Sequence, residues 1–328
     1  MTDRLSPEQW SDYWRAGSIT TFMGRFANNY DGVVLEFWRK VFDALPHGSR
    51  IVDLATGNGA LALLASQYSE ARDAKFELTG VDFAATDPKE TLQNLGIGSA
   101  LERIRFLTST RIEETGLPDR GFDLVCSQFG FEYAAREPAV REAVRLMADG
   151  RSVFAVMLHR EDSAVVAQAR EGVRQTLQCR NSGIVEAAKR LLEVLDAARA
   201  RGENPAGSEA CEERRTELNR ITGKLHNAQS QYEDPGQLAW YMGSVMALFS
   251  SVRSGDLSTG EKMQRMDEID AEAVRYVERM RDLMASALSQ GEIDALAEEL
   301  EEKGLTVDYS ENVEFEGKPF CHALIAVR

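Results

Sequence analysis

An acid, a glycine turn and a second acid are the residues of this chain best placed to do chemistry. Asp53 lies in a short apolar run, Ile51-Val52-Asp53-Leu54, and Ala55-Thr56-Gly57-Asn58-Gly59 follows before Ala60-Leu61-Ala62 opens a helical pattern. Glycine has no Cβ and tolerates positive φ, so such a turn lets a ligand come close to the backbone. The first amides of the following helix lack intrahelical partners and face the same crevice. An acid at a strand's carboxyl end stands where doubly wound sheets hold their ligands. Asp82 ends a second run, Phe76-Glu77-Leu78-Thr79-Gly80-Val81, and follows Gly59 by 23 residues. In nucleoside-binding α/β folds an acid there accepts hydrogen bonds from ribose hydroxyls, and Phe83 beside it offers a ring face to a base. The bland alternatives are a ligand-free glycine turn and, for Asp82, a helix N-cap.

The elements that must position these residues follow in order. Ile104–Leu107 reads as a third strand, Gly121–Tyr133 as a fourth strand with its exit loop, Arg136–Arg151 as a helix and turn, and Ser152–Leu158 as a fifth strand. Thr306–Phe315 and Cys321–Val327 read as a closing β-hairpin. The D-x-x-x-G-x-G arrangement from Asp53 to Gly59 resembles motif I of the class I S-adenosylmethionine-dependent methyltransferases. The run from Leu117-Pro118 through Phe122-Asp123-Leu124-Val125-Cys126-Ser127-Gln128-Phe129-Gly130-Phe131-Glu132-Tyr133 is similar to a pattern of their bacterial members. It is two residues shorter after Pro118, and Ala148-Asp149-Gly150-Arg151 replaces the usual Pro-Gly-Gly turn. The rival fingerprint G-x-G-x-x-A is met by Gly57, Gly59 and Ala62. A dinucleotide's pyrophosphate would be repelled by Asp53, whereas an ammonium and a sulfonium are attracted by it.

The resemblance implies a doubly wound, seven-stranded, mostly parallel sheet with a terminal antiparallel hairpin, and S-adenosylmethionine as cofactor. It implies a cofactor site made of Asp53, Ala55, Thr56, Gly57, Asn58, Gly59, Asp82, Phe83, Thr110, Arg111, Ile112, Ser127, Gln128 and Phe129. Thr110-Arg111-Ile112 stand where the family's usual acidic–small pair precedes Leu-Pro, next to the adenine amino group. Three domains are expected: an aromatic-rich N-terminal helical cap over 1–49, the cofactor-binding domain over 50–159 and 304–328, and a helical insertion over 160–303. In the family, insertions after the fifth strand build the acceptor pocket, so the insertion is the expected lid.

Within the insertion, Ile184, Ala187, Ala188, Leu191, Leu192 and Leu195 keep the spacing of one apolar helix face. Leu238–Val252 is apolar on most sides and is expected to be mostly buried, as pocket wall or as the insertion's own core. Ser289-Gln290-Gly291-Glu292 reads as a capping box. Trp10, Tyr13, Trp14, Phe22, Phe26, Tyr30, Phe37 and Trp38 crowd the N-terminal segment, which is expected to close over the cofactor or to serve as core.

The chain of 328 residues carries a net charge of −15. The span 160–303 holds 19 basic and 27 acidic residues and the remainder 19 and 26. Neither part offers the basic stripe that nucleic-acid binders carry, so nucleic acid is not an expected partner. No run reaches the roughly 18 apolar residues of a membrane span, and Met1–Glu8 lacks an apolar stretch, so a cytoplasmic enzyme is expected. Cys126, Cys179, Cys211 and Cys321, like the four histidines, are scattered without metal-ligand spacing, and no metal is expected.

The sulfonium methyl is already an activated electrophile, so the protein chiefly aligns an acceptor and excludes water. A base is needed only for an acceptor that must lose a proton. His159, Tyr133 and Glu132, at the ends of the fifth and fourth strands, are the candidates, and His159 leads because imidazole titrates near neutrality. Its alternative is a histidine that merely ends a strand. The acceptor is expected to be a small organic molecule, methylated at O, N or C. The alternatives are a protein or RNA methyltransferase, or a non-catalytic cofactor-binding protein whose insertion is a partner surface. The same insertion is the expected surface for a homodimer.

Overall fold

The computed structural model describes residues 4–22, 26–93, 97–250 and 257–328. The chain divides into two compact units, 1–166 with 285–328, and 167–284. The helical unit is thus narrower at both ends than the expected 160–303.

The first unit begins with α1 (Pro7–Arg15) and α2 (Gly32–Asp43). Helix α1 starts sharply because Ser6 and Gln9 form a reciprocal capping box with Pro7 in the first turn. There follow β1 (Arg50–Leu54), α3 (Ala60–Arg72), β2 (Glu77–Val81), the single turns α4 (Pro88–Thr91) and α5 (Gly98–Leu101), and β3 (Ile104–Leu107). The chain continues through β4 (Leu124–Gln128), α6 (Arg136–Leu146) and β5 (Val153–Leu158). After the helical unit it returns as α12 (Gln290–Glu302), β6 (Thr306–Phe315) and β7 (Lys318–Val327).

The seven strands stand in the order β3-β2-β1-β4-β5-β7-β6, parallel except where β7 runs against β5 and β6. This is the sheet the sequence implied. Strand alternation sorts its residues onto two faces. Ile51, Leu124, Cys126, Ala155 and Met157 pack with Phe37, Trp38 and Val41 of α2 and with Leu61 and Leu64 of α3. Val52, Leu54, Val125, Phe154 and Val156 pack with Val140, Ala143 and Leu146 of α6 and with Leu296 and Leu300 of α12. Burial of α12 on this sheet is why it belongs to the first unit. Its start is fixed by the Ser289–Glu292 capping box. The order of strands reverses between β1 and β4, which opens a crevice at their carboxyl ends.

The second unit comprises the bulk of α7 (Ala164–Asn181), α8 (Ile184–Ala200), α9 (Glu209–Ala228), α10 (Gly236–Ala247) and most of α11 (Thr259–Ser286). Ile184, Ala187, Ala188, Leu191 and Leu192 of α8 face Leu218, Ile221 and Leu225 of α9 in a core of this unit's own. In α10 only Leu238, Tyr241 and Val245 are buried, and Trp240 is 40% exposed. Helix α10 is therefore buried along one face and not on most sides, and Ser251 and Val252 lie outside the described residues. No described helix is long and apolar enough to cross a membrane. The four cysteines are free and buried.

Candidate functional site

Asp53 lies on β1 opposite Cys126 of β4, and Gln128 is two residues further along β4, so both side chains leave the sheet on the α2–α3 face. Beyond β1 the chain turns abruptly: Ala55, Gly57 and Gly59 all have positive φ, at 57°, 56° and 85°. For Ala55, and for Phe129 at φ 57°, this left-handed backbone carries strain on the order of 1–3 kcal/mol each. Both residues flank the crevice where β1 and β4 end. Thr56 holds the turn by donating from Oγ1 to Asp53 Oδ2 at 2.6 Å.

Both acids are buried. Burial, reinforced by Asp82, pushes Asp53 up to about 7, although the Thr56 hydroxyl works in the opposite direction. Burial likewise raises Asp82 to about 6, against the amides of Ala84 and Gly57 that donate to it at 2.9 and 2.7 Å. Two carboxylates so placed are uncomfortable without a cation or further donors. Asp82 is not the N-cap of a helix; Asp87 fills that role for α4.

Helix α1 covers the glycine turn. A Cβ on Gly57 would stand 2.5 Å from the Trp14 ring. Asn58 Nδ2 donates to the carbonyls of Trp14 and Ser18 at 2.8 and 2.7 Å, which ties the cap to the turn. Trp10 and Trp14 cluster with Leu5, Ala84, Phe83 and Tyr133. With Trp14 seated, the crevice between Asp53, Tyr30, Gln128 and Phe129 is a cavity of about 40 Å³. At ~10–15 Å³ per water this is room for a few solvent molecules, not for a nucleoside.

Beyond Phe129 lies a second buried polar pair. Glu132 Oε1 accepts from the backbone N–H of His159 at 2.9 Å and lies 2.8 Å from His159 Nδ1. Glu132 is 6% exposed and His159 1%. A carboxylate at Nδ1 holds the proton there and leaves Nε2 as the basic nitrogen. That Nε2 has no partner, and neither has Glu132 Oε2. The Phe129 ring stacks on the imidazole with centroids 4.4 Å apart, and Phe22 and Tyr133 complete the aromatic surround at 6.3 Å each.

The residues singled out by the sequence divide into three groups. Asp53, Thr56, Gly57, Asn58, Asp82, Gln128 and Phe129 converge at the crevice, with Ala55 and Gly59 shaping its turn. His159, Glu132 and Tyr133 stand behind Phe129. A third group is turned elsewhere: Ser127 Oγ bonds the Leu54 carbonyl at 2.6 Å, Ile112 is core on the opposite sheet face, and Arg111 is an exposed partner of Glu113. Thr110 reaches the site through its backbone, donating to the Asp82 carbonyl at 2.9 Å. Phe83 packs against α1. Trp14, Tyr30 and Trp38 belong to the crevice as well, although the sequence marked them only as part of an aromatic-rich segment.

A family model described as a methyltransferase domain matches residues 52–155. No curated protein sequence matches the chain. Among solved structures, the chain is similar to an S-adenosylmethionine-dependent methyltransferase of Aquifex aeolicus, at 12% identity and TM-score 0.42, covering 89% of this chain and 88% of the other. It is similar to a Methanococcus maripaludis protein ascribed to the same class, at 11% identity and TM-score 0.42, covering 99% and 95%. A geranyl diphosphate C-methyltransferase of Streptomyces coelicolor matches at 14% identity and TM-score 0.31, covering 39% and 43%. The methyltransferase domain matched over residues 52–155 carries the sheet order and the acid–glycine–acid crevice expected of a class I fold that binds S-adenosylmethionine.

Proposed function

We propose that this protein transfers the sulfonium methyl of S-adenosylmethionine to a small organic acceptor that must give up a proton. The observation that carries this reading is the buried Glu132–His159 pair with an unpartnered Nε2. An amine that is already neutral needs no such base, whereas a hydroxyl, a carbon acid or a protonated amine does. Support for a small acceptor comes from the aromatic surround of His159 and from the net charge of −15, which suits neither RNA nor DNA.

The cofactor supplies a methyl group on a sulfonium, a leaving group that departs as a neutral thioether. The residues present fit it: two buried carboxylates face an ammonium and a ribose, and Asn58 Oδ1 and Gln128 Nε2 are buried polar atoms that still lack partners. Trp14 would have to leave Gly57 to make room for the nucleoside. Asp82 would hold the ribose hydroxyls, and Asp53, ionised, would face the ammonium. With an acceptor against Phe129, His159 Nε2 would be the group to take its proton. Glu132 stabilises the resulting imidazolium.

The test is methyl transfer from labelled S-adenosylmethionine to a panel of small phenols, alcohols, carbon acids and amines, with protein and RNA fractions alongside. Turnover on a small acceptor, lost in His159→Ala, supports the reading. Turnover on protein or RNA alone overturns it.

A further inference from the structure

Trp38 of α2 is wholly buried, and its indole N–H donates to Gln128 Oε1. The indole nitrogen can only donate, so the atom facing it has to be the amide oxygen. Trp38 therefore fixes which way the Gln128 amide points. Its NH₂ is turned away from α2, is buried, and has no partner. Gln128 lines the small crevice cavity together with Asp53. A buried donor without an acceptor is unfavourable, and one that lines a crevice is placed to be completed by what binds there.

The crevice thus presents one buried acid and one oriented, unsatisfied donor on the same sheet face. The amino-acid end of the cofactor presents one ammonium and one carboxylate. Asp53 attracts the ammonium and repels the carboxylate, which leaves the carboxylate for the donor. We propose that the Gln128 side-chain amide, held by Trp38, is the specificity-determining donor to the α-carboxylate of S-adenosylmethionine. This rests on the crevice being the cofactor site.

The test is calorimetric titration of the full chain with S-adenosylhomocysteine and with its decarboxylated counterpart, the 3-aminopropyl thioether of 5′-deoxyadenosine. The unsubstituted protein should prefer the carboxylate-bearing ligand by about tenfold or more, the scale of a hydrogen bond to a charged group. Gln128→Leu should lower its affinity about tenfold and leave the decarboxylated ligand unchanged. Gln128→Glu keeps an oxygen for the Trp38 N–H but replaces the donor by an acceptor, and should reverse the preference. A merely structural role would weaken both ligands equally, and that result, or no change in either, overturns the proposal and points to the acceptor as the group Gln128 meets. Failure of S-adenosylhomocysteine to bind the unsubstituted chain would instead remove the crevice assignment on which the proposal stands.

Discussion

The crevice and the helical unit solve the burial of polar groups in opposite ways. In the helical unit, Asp270 accepts from Arg180 and from the Tyr241 hydroxyl at 2.8 and 2.6 Å. There Gln175 donates to the Asp234 carbonyl at 2.7 Å and accepts from the Leu238 amide at 3.0 Å. Every buried polar side-chain atom found without a partner among the described residues lies instead in the first unit, and Asn58, Gln128, Glu132 and His159 gather around the crevice. The strained Ala55 and Phe129 stand there too. Buried polar groups left open in a native fold call for an explanation, and the crevice gathers four residues that carry them.

That contrast is broken most severely at His159. His159→Ala should lower the methyl-transfer rate by about 10²–10⁴, the usual range for loss of a general base, while S-adenosylhomocysteine affinity stays within about threefold. Glu132→Gln should follow it with a smaller loss, and equal effects on rate and cofactor affinity would show that the pair only supports the fold. Next comes Asp82. Asp82→Ala should weaken S-adenosylhomocysteine binding by roughly 100-fold, as expected for two hydrogen bonds to a charged group, read by calorimetry.

Acidity sharpens the comparison further. Asp53 and Asp82 are raised by burial to about 7 and about 6. On the proposed role of Asp53 as the ionised partner of the ammonium, affinity should fall up to tenfold per unit as pH drops below about 7. The free protein shows the opposite sign. Because the folded carboxyls hold protons that the unfolded ones release near 4, their contribution to stability falls as pH rises from about 4 to about 7. Melting temperature and affinity should therefore move in opposite directions across this window.

The helical unit gives the smallest effects. Asp270→Ala should destabilise by about 1 kcal/mol or more, read as a lower melting temperature, with cofactor affinity unchanged. Trp240→Ser should shift stability by no more than about 0.5 kcal/mol, since the indole is 40% exposed.

Much of this was legible in the sequence because it is local. The acid–glycine turn, the acid 23 residues on, and the alternation of β1, β4 and β5 depend on neighbouring residues and so announced the sheet and its crevice. The capping boxes at Ser6 and Ser289 are equally short-range. Contacts between distant segments were not legible. The Trp38–Gln128 bond joins residues 90 positions apart, and Trp14 reaches Gly57 only once α1 has docked. Ile112, which the resemblance implies beside the cofactor, has its side chain buried with Leu54, Val81 and Leu117, a packing partner set the local sequence does not announce. Helix α10 differs from its expected burial for a related reason: composition shows how apolar a helix is, not how many sides find a neighbour.

The central claim is that the crevice between β1 and β4 holds S-adenosylmethionine and no dinucleotide. The most direct test is calorimetric titration of the chain with S-adenosylhomocysteine, and in parallel with NAD, using Asp53→Ala as control. One-site binding of S-adenosylhomocysteine is expected, lost or severely weakened in Asp53→Ala, with no heat from NAD. Binding of NAD alone, or S-adenosylhomocysteine affinity untouched by the loss of Asp53, would contradict it.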